Sequence, residues 1–265
     1  MSKATSFIDL AWYAIRRPKM IRNTLAVTEE YTDTWNAFRD KLERSSTVAE
    51  WLNDNDGIER YYNIDGRYSK QVFDSADFYR KTMLDGFERN YRGAKSVAEF
   101  GCGVGRNLIY LHLAHPELKL YGFELCKPGV ELGNAAAKKF NLPITYTQLD
   151  YLNWIPADIK MPDIDVAFTI FSLEQIPDKN DIALQNIMSK VNMGTFHLEP
   201  VVENYPWTIR GMISKIDHYK VGYLKNFDKN ARMVAGNSNV TKEIYGTAHN
   251  PLMYPSLYVC RKRDT

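Results

Sequence analysis

The stretch that most limits how this chain can fold is VAEFGCGVGRN, residues 97–107. A short apolar run, VAEF, meets glycines at alternate positions, Gly101, Gly103 and Gly105, and then the helix-type run NLIYLHLAH. Glycine adopts dihedrals closed to other residues and lets backbone come close to a ligand. A strand leaving through such a loop into a helix begins a βα unit. In an open α/β sheet the ligand crevice lies at the carboxyl ends of the strands, beside the switch in strand order. The plainer alternative is a glycine-rich turn without a ligand.

The residues after the loop support the unit. KLYGFEL reads as a strand and PGVELGNAAAKKFN as a helix. PITYTQLD, DVAFTIF and MGTFHLE are further β-type runs, the last two separated by the helical NDIALQNIMSKV. This alternation predicts an α/β fold, a mostly parallel sheet with helices on both faces. Near the end, KEIYGTAHN and PSLYVCRKR predict an antiparallel C-terminal strand pair at a sheet edge. Residues 1–93 show no strand alternation and read as helices and turns, with a breaker cluster at 53–57. The expected division is an N-terminal helical cap over 1–93 and a core over 94–265, with a lid-like insertion around 200–240.

Charge narrows the partners. The 34 basic and 32 acidic residues leave +2, which makes no electrostatic case for a nucleic acid. No apolar run has the length of a membrane span. FIDLAWYAIRRPKM, near the start, is an apolar patch followed by cations, interrupted by Asp9 and without a cleavage site; it reads as a packing or peripheral helix. Three cysteines without a CxxC pair suggest neither a disulfide framework nor a zinc site, and no metal is expected. A reducing, cytoplasmic setting fits that count.

The loop chemistry separates the nucleotide families. A P-loop needs Gly-Lys-Ser/Thr, which is missing, and the dinucleotide pattern GxGxxG needs glycine where Arg106 stands. Instead Glu99 precedes a GxGxG, giving EFGCGVG. In this motif the chain resembles the class I S-adenosylmethionine-dependent methyltransferases. The resemblance covers roughly residues 94–200. It implies a Rossmann-like seven-stranded sheet, S-adenosylmethionine as cofactor and S-adenosylhomocysteine as product. Glu99, Gly101, Gly103, Gly105 and Asn107 form the loop part of the expected cofactor site. Glu124, ending LYGFEL, can accept hydrogen bonds from both ribose hydroxyls, with Leu125 beside it. The resemblance places Asp150 at the adenine amino group, Tyr151 beside the ring, and Phe171 and Ser172 beneath the methionine. Tyr68, in a segment that the family often lays across the cofactor, is expected at the methionine carboxylate. The competing readings are a surface acid for Glu124 and a turn cap for Asp150.

Methyl transfer from a sulfonium is an in-line displacement, helped chiefly by orientation and exclusion of water. A base matters only for a hydroxyl or protonated amine acceptor. Glu199 and His197, two apart in MGTFHLEP and so on one strand face, are the candidates for base or substrate anchor; the alternative is a hydrogen-bonded pair closing the strand. Arg67, Lys70 and Arg210 are candidate anchors for an anionic acceptor, and Trp207, His218, Tyr219 and Tyr223 for an aromatic acceptor pocket. Packing, or a homodimer interface, competes for all of these aromatics. The expected function is methylation of an oxygen or nitrogen of a small molecule. The alternatives are an RNA or protein methyltransferase and a noncatalytic cofactor-binding scaffold.

Overall fold

The computed structural model describes residues 6–20, 22, 24–154, 156 and 158–262. Its centre is a seven-stranded sheet built from β3 (Ser96–Phe100), β4 (Lys119–Glu124), β5 (Ile144–Gln148), β6 (Ile164–Ile170), β7 (Val191–Pro200), β8 (Val240–Ile244) and β9 (Pro255–Arg261). The spatial order is β5-β4-β3-β6-β7-β9-β8. β3 to β7 run parallel, whereas β9 lies antiparallel to both β7 and β8. The expected α/β fold with a terminal antiparallel pair is therefore present. The order reverses at β3, which pairs with β4 on one side and β6 on the other, so the crevice opens where the glycine loop leaves the sheet.

The strands covered on both faces are buried along their length: all five residues of β3, Glu99 among them, and six of the seven in β9. One face is covered by α5 (Ser75–Tyr91), α6 (Arg106–Ala114) and α7 (Lys127–Lys139), which contribute Met83, Phe87, Leu108, Leu111, Leu132 and Ala136 to the core. The other face is covered by α8 (Asn180–Ser189) and α10 (Phe227–Ala235), through Leu184, Ile187, Phe227 and Ala231. α5 thus packs as part of the sheet's own helical layer although it precedes residue 94.

Ahead of α5 lie α1 (Phe7–Arg16), α2 (Thr24–Ala37), α3 (Arg39–Arg44) and α4 (Val48–Leu52). A Ser6–Asp9 capping box starts α1, with each side chain bonded to the other's backbone N–H. The reading of 1–93 as helices and turns alone is corrected by a hairpin, β1 (Arg60–Ile64) and β2 (Arg67–Gln71). Its turn residues Asp65 and Gly66 both take positive φ, 48° and 77°, the conformation that Asp-Gly supplies most readily in a two-residue hairpin. The hairpin is held to the chain's far end: Gly66 N–H donates to Gly246 O at 2.8 Å and Asn63 Nδ2 to Met253 O at 2.7 Å. Past β7, the expected insertion is mostly α9 (Ile209–Val221) and α10. Thr208 caps α9, and Gly222, at φ 76°, ends it.

The cysteines Cys102, Cys126 and Cys260 are buried and unpaired. Among the described residues, no helix is long and apolar enough to cross a membrane, and no cluster of His, Cys, Asp or Glu is placed to hold a metal.

Candidate functional site

The glycine loop is shaped by its own backbone. Gly101 and Cys102 N–H both donate to Phe123 O, at 2.7 and 3.1 Å, which ties the loop to the end of β4. Gly101, Gly103 and Gly105 have φ of 72°, 55° and 76°, where a side chain is strained. A Cβ at Gly101 would run into Ser172 and one at Gly105 into the Tyr146 ring. Glu124 closes the loop from below: its Oε2 accepts from Gly103 N–H at 2.7 Å and its Oε1 from Cys126 N–H at 2.8 Å. Burial raises its pKa, partly offset by those two N–H groups. Behind the loop Glu99 is 1% exposed; Asn107 Nδ2 donates to its Oε1 at 2.7 Å, and its Oε2 has no partner among the described residues. That burial pushes the Glu99 carboxyl up to about 8.

Above the strand ends lies a cavity of about 390 Å³, within the usual range for a small-ligand pocket. Gly101, Glu124, Leu125, Asp150, Tyr151, Phe171 and Ser172 line it, so seven of the residues expected around the cofactor meet in one place. Glu99, Gly103, Gly105 and Asn107 support this wall from the loop. Asp150 accepts from Leu152 N–H, Asn153 N–H and Asn153 Nδ2 at 2.8 to 3.1 Å, so its carboxylate also caps the turn after β5. Tyr151 hydroxyl pairs with Ser172 Oγ at 2.7 Å, which joins the ends of β5 and β6. Phe171 sits at φ 51°, an uncommon conformation for a bulky residue, with its ring edge-on to Tyr79 and His249.

A roof over this cavity escaped the sequence reading. Val27, Tyr31 and Trp35, four residues apart along α2, line it from above. The Trp35 ring lies 2.8 Å from where a Gly103 Cβ would stand. Gln175, in the short turn after β6, fastens the roof: its Nε2 donates to Tyr31 hydroxyl at 3.1 Å, and its Oε1 accepts from Arg22 Nη1 at 2.8 Å. Arg22 also pairs with Glu30 at 2.6 Å and lies over the Tyr223 ring. The signal for the roof was the i, i+4, i+8 spacing of 27, 31 and 35 in α2.

Several expected residues lie elsewhere. His197 and Glu199 do share a strand face, but β7 is interior to the sheet and that face is covered, His197 packing against Phe227. Both are 0% exposed and neither lines the cavity, which corrects their placement facing an acceptor. His197 is sandwiched between Thr169 and Thr195 hydroxyls at 2.9 and 2.8 Å, and burial pulls its pKa down to about 3. Glu199 accepts from Thr169 Oγ1 at 2.7 Å and from the backbone N–H groups of Ser172, Leu173 and Glu174 at 3.0 to 3.2 Å. It is the anchor of the turn that carries Ser172 and Gln175. Burial still lifts its carboxyl to about 7.

Tyr68 stacks on Tyr61, ring centres 4.3 Å apart, in the hairpin and away from the cavity; its expected contact with the methionine carboxylate is corrected. Arg67 and Lys70 are exposed on the same hairpin, with Lys70 3.6 Å from Glu59. Arg210 spends its guanidinium on Gly66 O, Asn63 Oδ1 and Pro251 O, linking α9 to the hairpin. His218 is buried between Tyr205 hydroxyl and Leu224 O. Trp207 is 84% exposed and Tyr219 is half exposed on the outer side of the fold. None of these lines the cavity; Tyr223 lies beneath Arg22, which does.

No family model matches the chain, and no curated protein matches it. Solved structures do. The chain is similar to the [4+2]-cyclase SpnF, with a TM-score of 0.61 at 15% identity over 94% of this chain and 100% of that one. It is similar to the plantazolicin methyltransferase BpumL in complex with SAH, with a TM-score of 0.52 at 12% identity over 90% and 96%. PigF with SAH aligns with a TM-score of 0.50 at 16% identity over 68% of this chain and 55% of that one. At these identities the likeness establishes the fold alone: a Rossmann-like, mostly parallel seven-stranded sheet with helices on both faces.

Proposed function

We propose that this chain is an S-adenosylmethionine-dependent methyltransferase that transfers a methyl group to an oxygen or nitrogen of a small molecule. The observation that carries the reading is the roofed cavity over EFGCGVG, where Glu124, Asp150, Tyr151 and Ser172 converge from three consecutive strand ends. Two of the similar structures are described as holding SAH, which agrees with that choice of cofactor.

The residues present fit the group. Each Glu124 oxygen that already accepts one backbone N–H keeps a second lone pair for a ribose hydroxyl. Gly101 lines the cavity with no Cβ to intrude on a ligand, and Glu99, buried behind the loop, holds Asn107 at the start of α6. When bound, the sulfonium supplies an activated methyl for direct displacement. This chain contributes position and dryness: Trp35 and Tyr31 close the top, Phe171 and Ser172 form the floor, and Gln175 locks floor to roof. A cavity of about 390 Å³ roofed by a helix favours a small acceptor over a polymer, which needs a long groove.

Calorimetry with S-adenosylmethionine and S-adenosylhomocysteine, beside NAD and ATP, tests the cofactor. Saturable heat with the two sulfur nucleotides alone is expected; preference for NAD or ATP overturns the reading. A sharper check uses Glu124. Glu124→Gln is expected to weaken the cofactor about tenfold and Glu124→Ala further, because hydrogen bonds to a charged group contribute about 1.5–3 kcal/mol. Unchanged affinity in both variants returns Glu124 to a purely structural role beneath the loop.

A further inference from the structure

The cavity and its roof use neither the outer side of α1 nor that of α9, and the two helices pack side by side. α1 turns Leu10 and Ala14 inward, where they are buried with Leu252 against Ile213 of α9. Its opposite stripe, Ile8, Trp12 and Ile15, is 67%, 54% and 47% exposed. α9 carries a matching stripe of Ile209, Met212, Ile216 and Tyr219 at 80%, 44%, 39% and 49%, led by Trp207 at 84%. The carboxyl ends of the two helices are pinned side by side, by the Arg17–Asp217 ion pair at 2.9 Å and by Lys220, which donates to Ile15 O. Apolar side chains on this scale, gathered on neighbouring helices, mark an interaction surface.

The charge of this surface says what it meets. Arg16, Lys19 and Lys215 lie on or next to the two helices, in a chain that is otherwise nearly neutral. Of the nearby acids, Asp9 is engaged in the α1 capping box and Asp217 is buried against Arg17. The cations sit on the indoles: the Arg16 guanidinium is 4.5 Å from the Trp12 ring centre and the Lys215 ammonium 3.6 Å from that of Trp207. A second copy of the chain is a poor occupant. A two-fold contact through this face brings each basic cluster against its own copy. An anionic lipid surface suits every part, since indoles rest at headgroup depth, apolar stripes enter the acyl boundary and cations meet the headgroups.

We propose that the joined outer face of α1 and α9 docks this protein peripherally on an anionic bilayer. Sedimentation of the full chain with phosphatidylcholine–phosphatidylglycerol vesicles tests this against pure phosphatidylcholine. Binding is expected to the mixed vesicles only, weakening as salt is raised. Lys215→Gln is expected to cost about fivefold, the effect of one cation near the surface. A Trp207→Ala, Ile209→Ser double variant is expected to stay in the supernatant. Both of its positions are at least 80% exposed, so the fold is retained, which circular dichroism verifies. No pelleting of the parent chain, or equal pelleting on neutral vesicles, overturns the proposal. So does light scattering that shows a dimer which the double variant dissolves.

Discussion

A valine at Gly103 is expected to abolish S-adenosylmethionine binding while the sheet still unfolds cooperatively. The residue holds φ 55°, and an L side chain in that region costs about 1–2 kcal/mol before it touches anything. Its Cβ also meets the Trp35 ring at 2.8 Å, too close for carbon to approach carbon, so either the loop or the roof, through the Trp35 ring or α2 itself, must move. Movement of the loop pulls Gly103 N–H off Glu124, and movement of α2 opens the cavity to water. Either route removes a wall of the site, with an expected loss of about a hundredfold or more, about 3 kcal/mol. Calorimetry reads the affinity and thermal unfolding reads the fold. An affinity within threefold of the parent, on the order of RT, means that this loop and roof do not enclose the ligand.

Glu199→Ala is expected to damage stability first and binding second. The carboxylate is fully buried and accepts three consecutive backbone N–H groups at the turn after β6, besides the Thr169 hydroxyl. Alanine leaves those donors without partners where water does not reach, and each buried orphan costs about 1–3 kcal/mol. A loss of at least about 3 kcal/mol in a denaturant titration is expected on that basis. Ser172 and Gln175 belong to the same turn, so the cavity floor and the roof latch loosen with it. Glu199→Gln keeps the shape and one acceptor oxygen and should lose less. A Glu199→Ala protein of parental stability whose turnover alone has collapsed would restore the catalytic assignment that its burial argues against.

The contrast between Gly103 and Glu199 shows what the residues alone could tell. Three alternate glycines behind an acid are local: the backbone they need is read within seven residues, and the strand, loop and helix come with it. Glu124 and Asp150 were legible because strand ends recur at regular intervals along an alternating α/β chain. The terminal pair β8–β9 was legible from its β-type runs. The hairpin was present as Asp65-Gly66 between Tyr-rich runs, but its partner surface is the 246–253 segment, nearly two hundred residues away. For His197 and Glu199, parity along the strand gave the shared face correctly. Which layer covers that face depends on where α8 and α10 return, and no local pattern carries that. Aromatics misled for the same reason. Tyr68 and Trp207 resemble pocket walls in sequence, whereas Tyr31 and Trp35, spaced for one helix face, are the ones that the fold brings over the cavity.

The order β7-β9-β8 has a consequence for how the molecule comes into being. β9 is the last strand in the chain among those described, yet it is an interior strand, bonded to β7 on one side and β8 on the other. Emerging from a ribosome, the chain can lay down β3 to β7 with their helices while β7 still presents a bare edge, and β8 has nothing to pair with. Only when residues 255–261 arrive does the sheet become whole, β9 adding to the edge of β7 and carrying β8 on its other side. β9 meets β8 across a short connection, but its partners on β7 lie 55 to 67 residues back, and pairings of that separation are slower to form. The unfilled edge of β7, rich in apolar side chains, is meanwhile the place where a nascent chain is open to a chaperone or to the edge of another unfinished copy.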